Sequence, residues 1–491
     1  MAQRINIPFV GQAARSRSVA VNNQATVNFM QAIKGRGAKA NVILEPTPGL
    51  VDLEVVGDGP IRTRTMVASA IRAAPAIDLY GIWGSKLIAQ TIASGNLEIG
   101  TLNANPARVE IARGRSHIAM VDGVDGYTYD GTTFAQITDL DFPGVSDSAK
   151  PTHIRYLDGF FIVNDATTDN FFISAVENPT SWNALDFEAA SVAPDNALAH
   201  TSSNSLLWIL GDETAQAYYN SGNPDFPYEI VLSATQEVGI LAPYSLSESD
   251  DGIFYLATTP EGGRFVYQIR GQAGRVISED EQENLLTLVT DPTDAYAFIY
   301  KQAGKSFYVL QLSASTGEDP RSSSTLIYNI KANAWESREL SDGSGWRAGG
   351  HGILNNQNIV GSRLQARRLR LDLSDFQDAG QEVIRKRRSM IYHVNNSLMD
   401  WWALVVDIEG GVGNITAPGA DPMLKMRYSN DSGRTWSAFL MGEVGKIGDT
   451  LQRVVYRNLG SGRNRVFEIQ ISDPVNITII NAYAEVEVLG D

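Results

Sequence analysis

From about residue 77 the apolar positions come in short alternating runs separated by Gly, Asp and Asn. The segment Ile77 to Ile92 holds two strands about Gly84-Ser85, and His117–Val121 runs into Asp122-Gly123 as Tyr127–Tyr129 runs into Asp130-Gly131. Asp158-Gly159 divides His153–Val163, Gly211-Asp212 divides Leu206–Tyr219, and Gly252–Ile269 and Lys305–Trp335 continue the series. A period of two bounded by Asp-Gly pairs is the pattern of hairpins, because a tight hairpin turn needs residues that accept positive φ. A β unit returning every few dozen residues, with no helix able to cross over a parallel sheet, predicts an all-β chain. Its body is read as a β-propeller of six or seven blades. A pair of β-sandwiches would give much of the same rhythm. Helix is predicted only around Glu279–Thr290, where Glu279-Asp280-Glu281 suits a first turn.

The two ends differ from this body. Residues 1–45 alternate poorly and are interrupted by Gly35-Arg36-Gly37, which predicts an extended N-terminal arm closed by the turn Thr47-Pro48-Gly49-Leu50. The propeller is assigned to residues 46–375. Next, Arg363, Arg367, Arg368 and Arg370, then Arg385, Lys386, Arg387 and Arg388, bracket Asp372, Asp375 and Asp378, and this change of character marks a boundary. Residues 376–491 contain the run Met399–Val406, a hairpin, and late strands Val466–Ile471 and Val475–Val488, which predicts a C-terminal β-sandwich-like domain.

A chain of 491 residues exceeds one ordinary core, in keeping with this division. The net charge of −16 argues against a surface that coats nucleic acid, which needs clustered cations to release counterions. The charge is uneven, since Arg4, Arg15, Arg17, Lys34, Arg36 and Lys39 all precede the first acid, Glu45. Such an arm lies along a partner or stays solvated, and packing on an acidic neighbouring subunit is preferred to nucleic-acid binding; the candidate interface residues of the arm are Arg4, Arg15, Arg17, Asn28 and Phe29. With no cysteine, disulfides, thiolate metal sites and cysteine nucleophiles are excluded. Neither the opening Met1-Ala2-Gln3-Arg4-Ile5 nor any later run resembles a signal peptide or a membrane span, so neither secretion nor insertion is expected.

The sharpest local motif is Ser429-Asn430-Asp431-Ser432-Gly433-Arg434-Thr435-Trp436, an Asp-box. Asp431 is placed to accept backbone N–H groups, Gly433 to take positive φ, and Trp436 to enter the next strand as a buried anchor. Asp-boxes recur in sialidases, so a glycan-binding or sialidase-like propeller is the alternative function, and a bacterial scaffold or adhesin a third. Such an enzyme needs two placed carboxylates and an arginine cluster, with several Asp-boxes spread over its blades. One full copy and a faint echo at Asp250-Asp251-Gly252 favour a structural clasp formed by Ser429, Asp431, Gly433, Thr435 and Trp436. The histidines at 117, 153, 200, 351 and 393 have no ligand spacing, and no GxSxG, GxxxxGK[ST] or strand–GxGxxG–helix unit occurs. No catalytic residue, cofactor or metal is expected. The cluster Arg385, Lys386, Arg387 and Arg388 is a candidate subunit interface, or a basic lining for a DNA channel.

Several stretches together resemble one family. They are Asn22–Met30 with Thr47-Pro48-Gly49-Leu50; Pro179-Thr180-Ser181-Trp182, Leu185-Asp186-Phe187, Ala193-Pro194-Asp195 and Tyr218–Gly222; Val238–Ala242; and Arg427–Trp436 with Phe467–Pro474. This pattern is similar to the packaged-DNA stabilisation proteins of short-tailed bacteriophages. The resemblance implies a non-enzymatic tail-hub or head-completion protein of the virion, assembled in the host cytoplasm as a ring of six below the portal and adaptor rings. It further implies a part in closing or extending the DNA channel close to packaged DNA, and in holding tail spikes, fibres or a needle.

Overall fold

The computed structural model describes residues 3–35, 37–68, 79–91, 95–105, 107–190, 192–193, 195–312, 324–450 and 453–490. Of the positions named above, Met1, Ala2, Arg36, Ile77, Ile92 and Pro194 lie outside the described residues. Strands dominate. Helix Asp280–Leu288 forms where the acidic first turn predicts it, and the Glu279 N–H donates to Gln282 Oε1 at 3.1 Å to close its start. No helix among the described residues is long and apolar enough to cross a membrane.

The body is a closed propeller. In chain order its blades span residues 67–101, 110–136, 154–189, 199–230, 239–276 and 296–338, and the last combines 348–372 with 49–55. Six of these are separate sheets. The blade at 296–338, the sixth in order, is the first part of a nine-stranded sheet, so the expectation of six or seven blades resolves as six discrete sheets and one shared one. The innermost strands, from Val67–Ala68 to Ala348–Leu354, touch in succession and the last touches the first. Asp-Gly punctuation works as expected: Asp158 (φ 51°) and Gly159 (φ 94°) turn strand Ile154–Leu157 into Phe160–Asn164. Because each sheet is covered on both faces by its neighbours, whole strands such as Ile118–Val121 are buried. A separate apolar layer fills each gap between successive blades.

The ring is closed by a strand from the wrong end of the sequence. Gly49–Val55 pairs antiparallel with Arg367–Asp372, and ion pairs Arg367–Asp52 and Arg368–Glu54 tie the two. This pairing accounts for part of the arginine-rich stretch that the sequence shows near residue 367.

The C-terminal part is a β-sandwich. One sheet runs Phe29–Ile33, Val42–Pro46, Ile479–Gly490, Leu398–Ile408, Val454–Arg457, with Gln3–Asn6 also on Ile479–Gly490. The facing sheet runs Arg385–Arg388, Val466–Ile471, Met423–Ser429, Leu440–Glu443. Between them lie Phe29, Leu44, Trp401, Leu424, Phe467 and Ile477. The facing sheet does not end at Arg385–Arg388. Strand Ala25–Val27 pairs antiparallel with it and parallel with the outermost strand of the sixth blade, Ala334–Arg338, at Val27 and Ser337, which joins propeller and sandwich into one sheet.

Two expectations are corrected here. Residues 1–45 are not a free arm, because they supply strands to both sandwich sheets and the join between the domains. Asn28 and Phe29 are accordingly spent inside the chain: Phe29 is fully buried in the sandwich core, and Asn28 (φ 55°) donates from Nδ2 to Glu339 O at 3.0 Å and Ile384 O at 2.8 Å. Ile7, Phe9, Phe29 and Leu44 are all fully buried, together about 6–12 kcal/mol of apolar burial, comparable with the roughly 5–15 kcal/mol that holds a whole domain. Deleting residues 1–45 should therefore abolish the cooperative thermal transition of the sandwich in calorimetry, and a truncated chain that keeps it would refute this placement.

Candidate functional site at the propeller–sandwich junction

Strand Arg385–Arg388 has neighbours on both sides, so its period of two splits the arginine cluster between two faces. Arg385 and Arg387 point to one face and are buried. Arg387 donates from Nε to Phe9 O at 2.5 Å and from its two Nη atoms to Thr26 Oγ1 at 2.6 Å and Gln24 Oε1 at 3.2 Å, all in the N-terminal segment. Burial draws its pKa down to about 10, against which Glu281 acts, so the group stays charged at neutral pH. Arg385 donates to Phe376 O at 2.6 Å.

On the other face, Arg388 donates from Nε and Nη2 to Glu468 Oε2 at 3.0 and 2.6 Å, and from Nη1 to Asn23 Oδ1 at 2.7 Å. Glu468 is fully buried and also accepts Arg427 Nε on Oε1 at 2.7 Å. The Trp436 ring lies between these guanidinium groups, 5.0 Å from Arg388 and 4.7 Å from Arg427. Lys386 lies 3.8 Å from Glu339. The cluster predicted to line a channel or meet a neighbour is thus internal to the chain, because it occupies a central strand and its charges are used there.

The Asp-box completes the clasp. Asp431 Oδ1 accepts the N–H of Arg434 at 3.0 Å and of Thr435 at 2.8 Å, and Oδ2 accepts Thr435 Oγ1 at 2.6 Å. Bonds from Thr435 and Ser429 hold the Asp431 carboxyl far below the usual range. Gly433 has φ 91°, and a Cβ there would fall 2.2 Å from Asn23 Nδ2, which itself donates to Ser432 O at 2.9 Å. Asn23 is buried and binds the turn with one end of its amide and Arg388 with the other. The turn chemistry matches the sequence reading, but Trp436 is only half-buried, because its ring packs on guanidinium groups at the surface and not in the core.

The basic N-terminal residues meet acids of their own chain: Arg4 pairs with Glu485 at 3.1 Å, Lys34 with Glu45 at 2.6 Å and Lys39 with Asp407 at 2.5 Å. Arg15 lies beside Glu281, while Arg17 is exposed. Arg15, Arg17, Lys386 and Arg388 line a cleft of about 770 Å³ at the junction, facing Glu281 and Trp335.

Sequence reasoning missed the propeller axis. There Glu110 accepts Arg155 at 2.8 Å and pairs with Arg64 at 3.1 Å, and both arginines lie 3.7 Å from Glu248. Arg64 and Glu110 are buried, so this arginine pair is already neutralised and is not open to a substrate carboxylate. His153 and His200 are buried beside it with ring centroids 6.2 Å apart. No group of three or more His, Asp or Glu among the described residues is placed to hold a metal ion. The available signal was a single acid, Glu110, in the otherwise apolar run Val109–Ala112.

Glu468→Ala would leave two guanidinium groups unpaired beside a buried strand and should destabilise the sandwich by about 3–5 kcal/mol in urea titration. Trp436→Ala should cost only about 1–2 kcal/mol, the scale of a half-buried stacked ring. Burial first, then Arg64 and Arg155, holds the His153 imidazole well below its usual 6.5, and burial does the same for His200. Below about pH 6.5 the unfolded chain takes up protons that the folded chain refuses, so stability should fall with falling pH. The fall should be shallower in His153→Gln/His200→Gln, measured as the melting temperature between pH 7 and pH 5.

Comparisons with known proteins agree with this architecture. The β-propeller of bacteriophage P22 Gp10 matches residues 5–374 and the β-sandwich of the same protein matches residues 387–487. No curated protein matches the chain. Among solved structures, the computationally designed Ika8 protein is similar at 10% identity over 74% of this chain and 100% of that one, with a TM-score of 0.37. The WD40 β-propeller domain of Doa1 is similar at 11% identity over 66% and 96%, with a TM-score of 0.39. An exo-β-1,3-galactanase from Phanerochaete chrysosporium is similar at 9% identity over 77% and 95%, with a TM-score of 0.28. Scores this low bear on neither activity nor ligand. The two family matches together span nearly the whole sequence, and the chain belongs to the bacteriophage P22 Gp10 family of phage structural proteins.

Proposed function

We propose that this chain is a non-enzymatic tail-hub or head-completion component of the virion, assembled in the host cytoplasm as a ring of six below the portal and adaptor rings. In that position it closes or extends the DNA channel, stabilises packaged DNA, and anchors tail spikes, fibres or a needle. The observation that carries this reading is the sheet shared by propeller and sandwich. A hydrogen-bonded sheet, unlike a flexible linker, transmits load between domains without a hinge, as a strut under pressurised DNA requires. The propeller adds its own rigidity, since a closed ring leaves only short outer edges. The neutralised arginines on its axis support a structural role over a sialidase-like one.

Residues 46–375 carry 41 Asp and Glu against 22 Lys and Arg. In a ring, acids of this propeller facing the lumen would repel passing DNA and keep it from sticking. Purified virions should contain the chain in a ring whose lumen is net negative, seen by electron cryo-microscopy. Absence from virions, a basic lumen, or turnover of a fluorogenic sialoside that Glu110→Gln abolishes would overturn the assignment.

A further inference from the structure

We propose that the free edge of the sandwich docks on the rim of the third blade, residues 154–189, of a second copy of this chain. The contact would be head-to-tail, and the inference rests on the ring reading above.

Strand Leu440–Glu443 ends the nine-stranded sheet. It pairs with Met423–Ser429 over four residues without a bulge and, among the described residues, has no strand on its other side. Phe439, Leu440 and Met441 are 39, 36 and 52% exposed. Open edges are ordinarily guarded by charge, bulges or brevity, and outer blade strands of this molecule are: Gly95–Thr101 has Glu98 and a register shift, Tyr228–Ile230 is three residues with Glu229, and Ala273–Val276 carries Arg275. Leu440–Glu443 has an acid only at its end and no lysine or proline. It is an apolar edge left open.

Its surroundings are basic. Lys425 stands directly across from Met441 in the register. Strand Val454–Arg457 of the other sheet lies across the sandwich from it, with Val454 and Tyr456 turned inward so closely that a Cβ on Gly442 would fall 2.5 Å from Val454 Cγ1, and Arg453 and Arg457, which alternate with them, are exposed on the outer face beside this end of the sandwich. Among the described residues, none of these three cations has a carboxylate partner.

The complementary surface is the outermost strand of the third blade, Asn178–Ala189. Between the pairs Ser174–Trp182 and Phe172–Phe187 its register shifts, which throws out residues 183–186. Leu185 is 80% exposed and Phe187 40%. Asp186 and Glu188 alternate with them, and among the described residues neither has a cationic partner. Apolar side chains next to unpaired acids face the chemistry of the sandwich edge, where apolar side chains are flanked by unpaired cations of the neighbouring strands.

Position in the ring makes the match intermolecular. The sandwich is fused to the sixth blade, three steps from the third in one direction and four in the other around the seven units. The two surfaces therefore lie at nearly opposite ends of one subunit, and joining them between copies gives a heterologous contact, the kind that closes into a ring. Duplex DNA would satisfy the cations but would gain nothing from Leu440 and Met441.

The test uses the full chain with Met441→Glu, which sets an acid against the acidic blade, and with Leu185→Lys, which sets a cation against the basic edge. Both positions are exposed, so each variant should melt like the wild type. By size-exclusion chromatography with light scattering, the wild type should assemble and each variant alone should remain a monomer. A one-to-one mixture should regain association, because it holds one unaltered pair of faces and sets Glu against Lys in the other. Variants that assemble like the wild type, or a mixture that stays monomeric, would overturn this contact while a wild-type ring left the ring reading intact. A wild type that stays monomeric at every concentration would overturn both. Duplex DNA binding that Met441→Glu abolishes would show that the edge serves nucleic acid instead, and would also overturn the contact.

Discussion

Three residues, Ala25–Val27, pair on one side with the outer strand of a propeller blade and on the other with Arg385–Arg388 of the sandwich. Without them both partners would expose open sheet edges, and Arg387 would lose Thr26 Oγ1, which with the oxygens of Phe9 and Gln24 in the same N-terminal segment stabilises its buried charge. An uncompensated buried charge costs several kcal/mol. The buried arginine and the N-terminal segment therefore depend on each other: the segment is held because it satisfies the charge, and the charge is tolerated because the segment is there. Asn23 extends this coupling to Ser432, 409 residues away in sequence.

This constraint explains how the rest of the chain is used. The N-terminal segment visits the sandwich, the join and the sandwich again, then closes the propeller with Gly49–Val55. Both domains are thus completed by residues distant in sequence, and neither is tethered by a flexible connection. The Asp-box, whose chemistry invites an enzymatic reading, serves here as the outer wall of the same clasp. Its carboxylate is occupied by its own turn, and Gly433 leaves space for Asn23.

How much was legible in the sequence follows from the range of each interaction. The propeller rhythm and the Asp-Gly turns were legible because hairpin chemistry is local, as were the helix at Asp280–Leu288 and the bonds of Asp431. The role of residues 1–45 was not, because the partners of Gln3–Asn6 and Phe29–Ile33 include Ile479–Gly490 and Val42–Pro46, and nothing local announces a strand from the far end of the chain. Arg385–Arg388 was misread for a related reason. A run of four cations suggests an interface or a channel lining, yet in a central strand alternate residues must face opposite sides. The matching signal was present in Val466–Ile471, where Glu468 and Gln470 alternate with Phe467 and Ile469, but only the pairing of the two strands joins acid to arginine. At the axis, Glu110, Arg155 and Glu248 come from separate blades and Arg64 from the segment before the first, and no spacing could have grouped them.

The account stands on the N-terminal segment being part of the folded core. Native-state hydrogen exchange on the intact chain measures this most directly, because an amide inside a core exchanges only when that core opens. Amides of Ala25–Val27 and Phe29–Ile33 should be as protected as those of Val466–Ile471 at the centre of the sandwich. Exchange of the N-terminal amides on the timescale of exposed loops, with Val466–Ile471 still protected, would contradict the account.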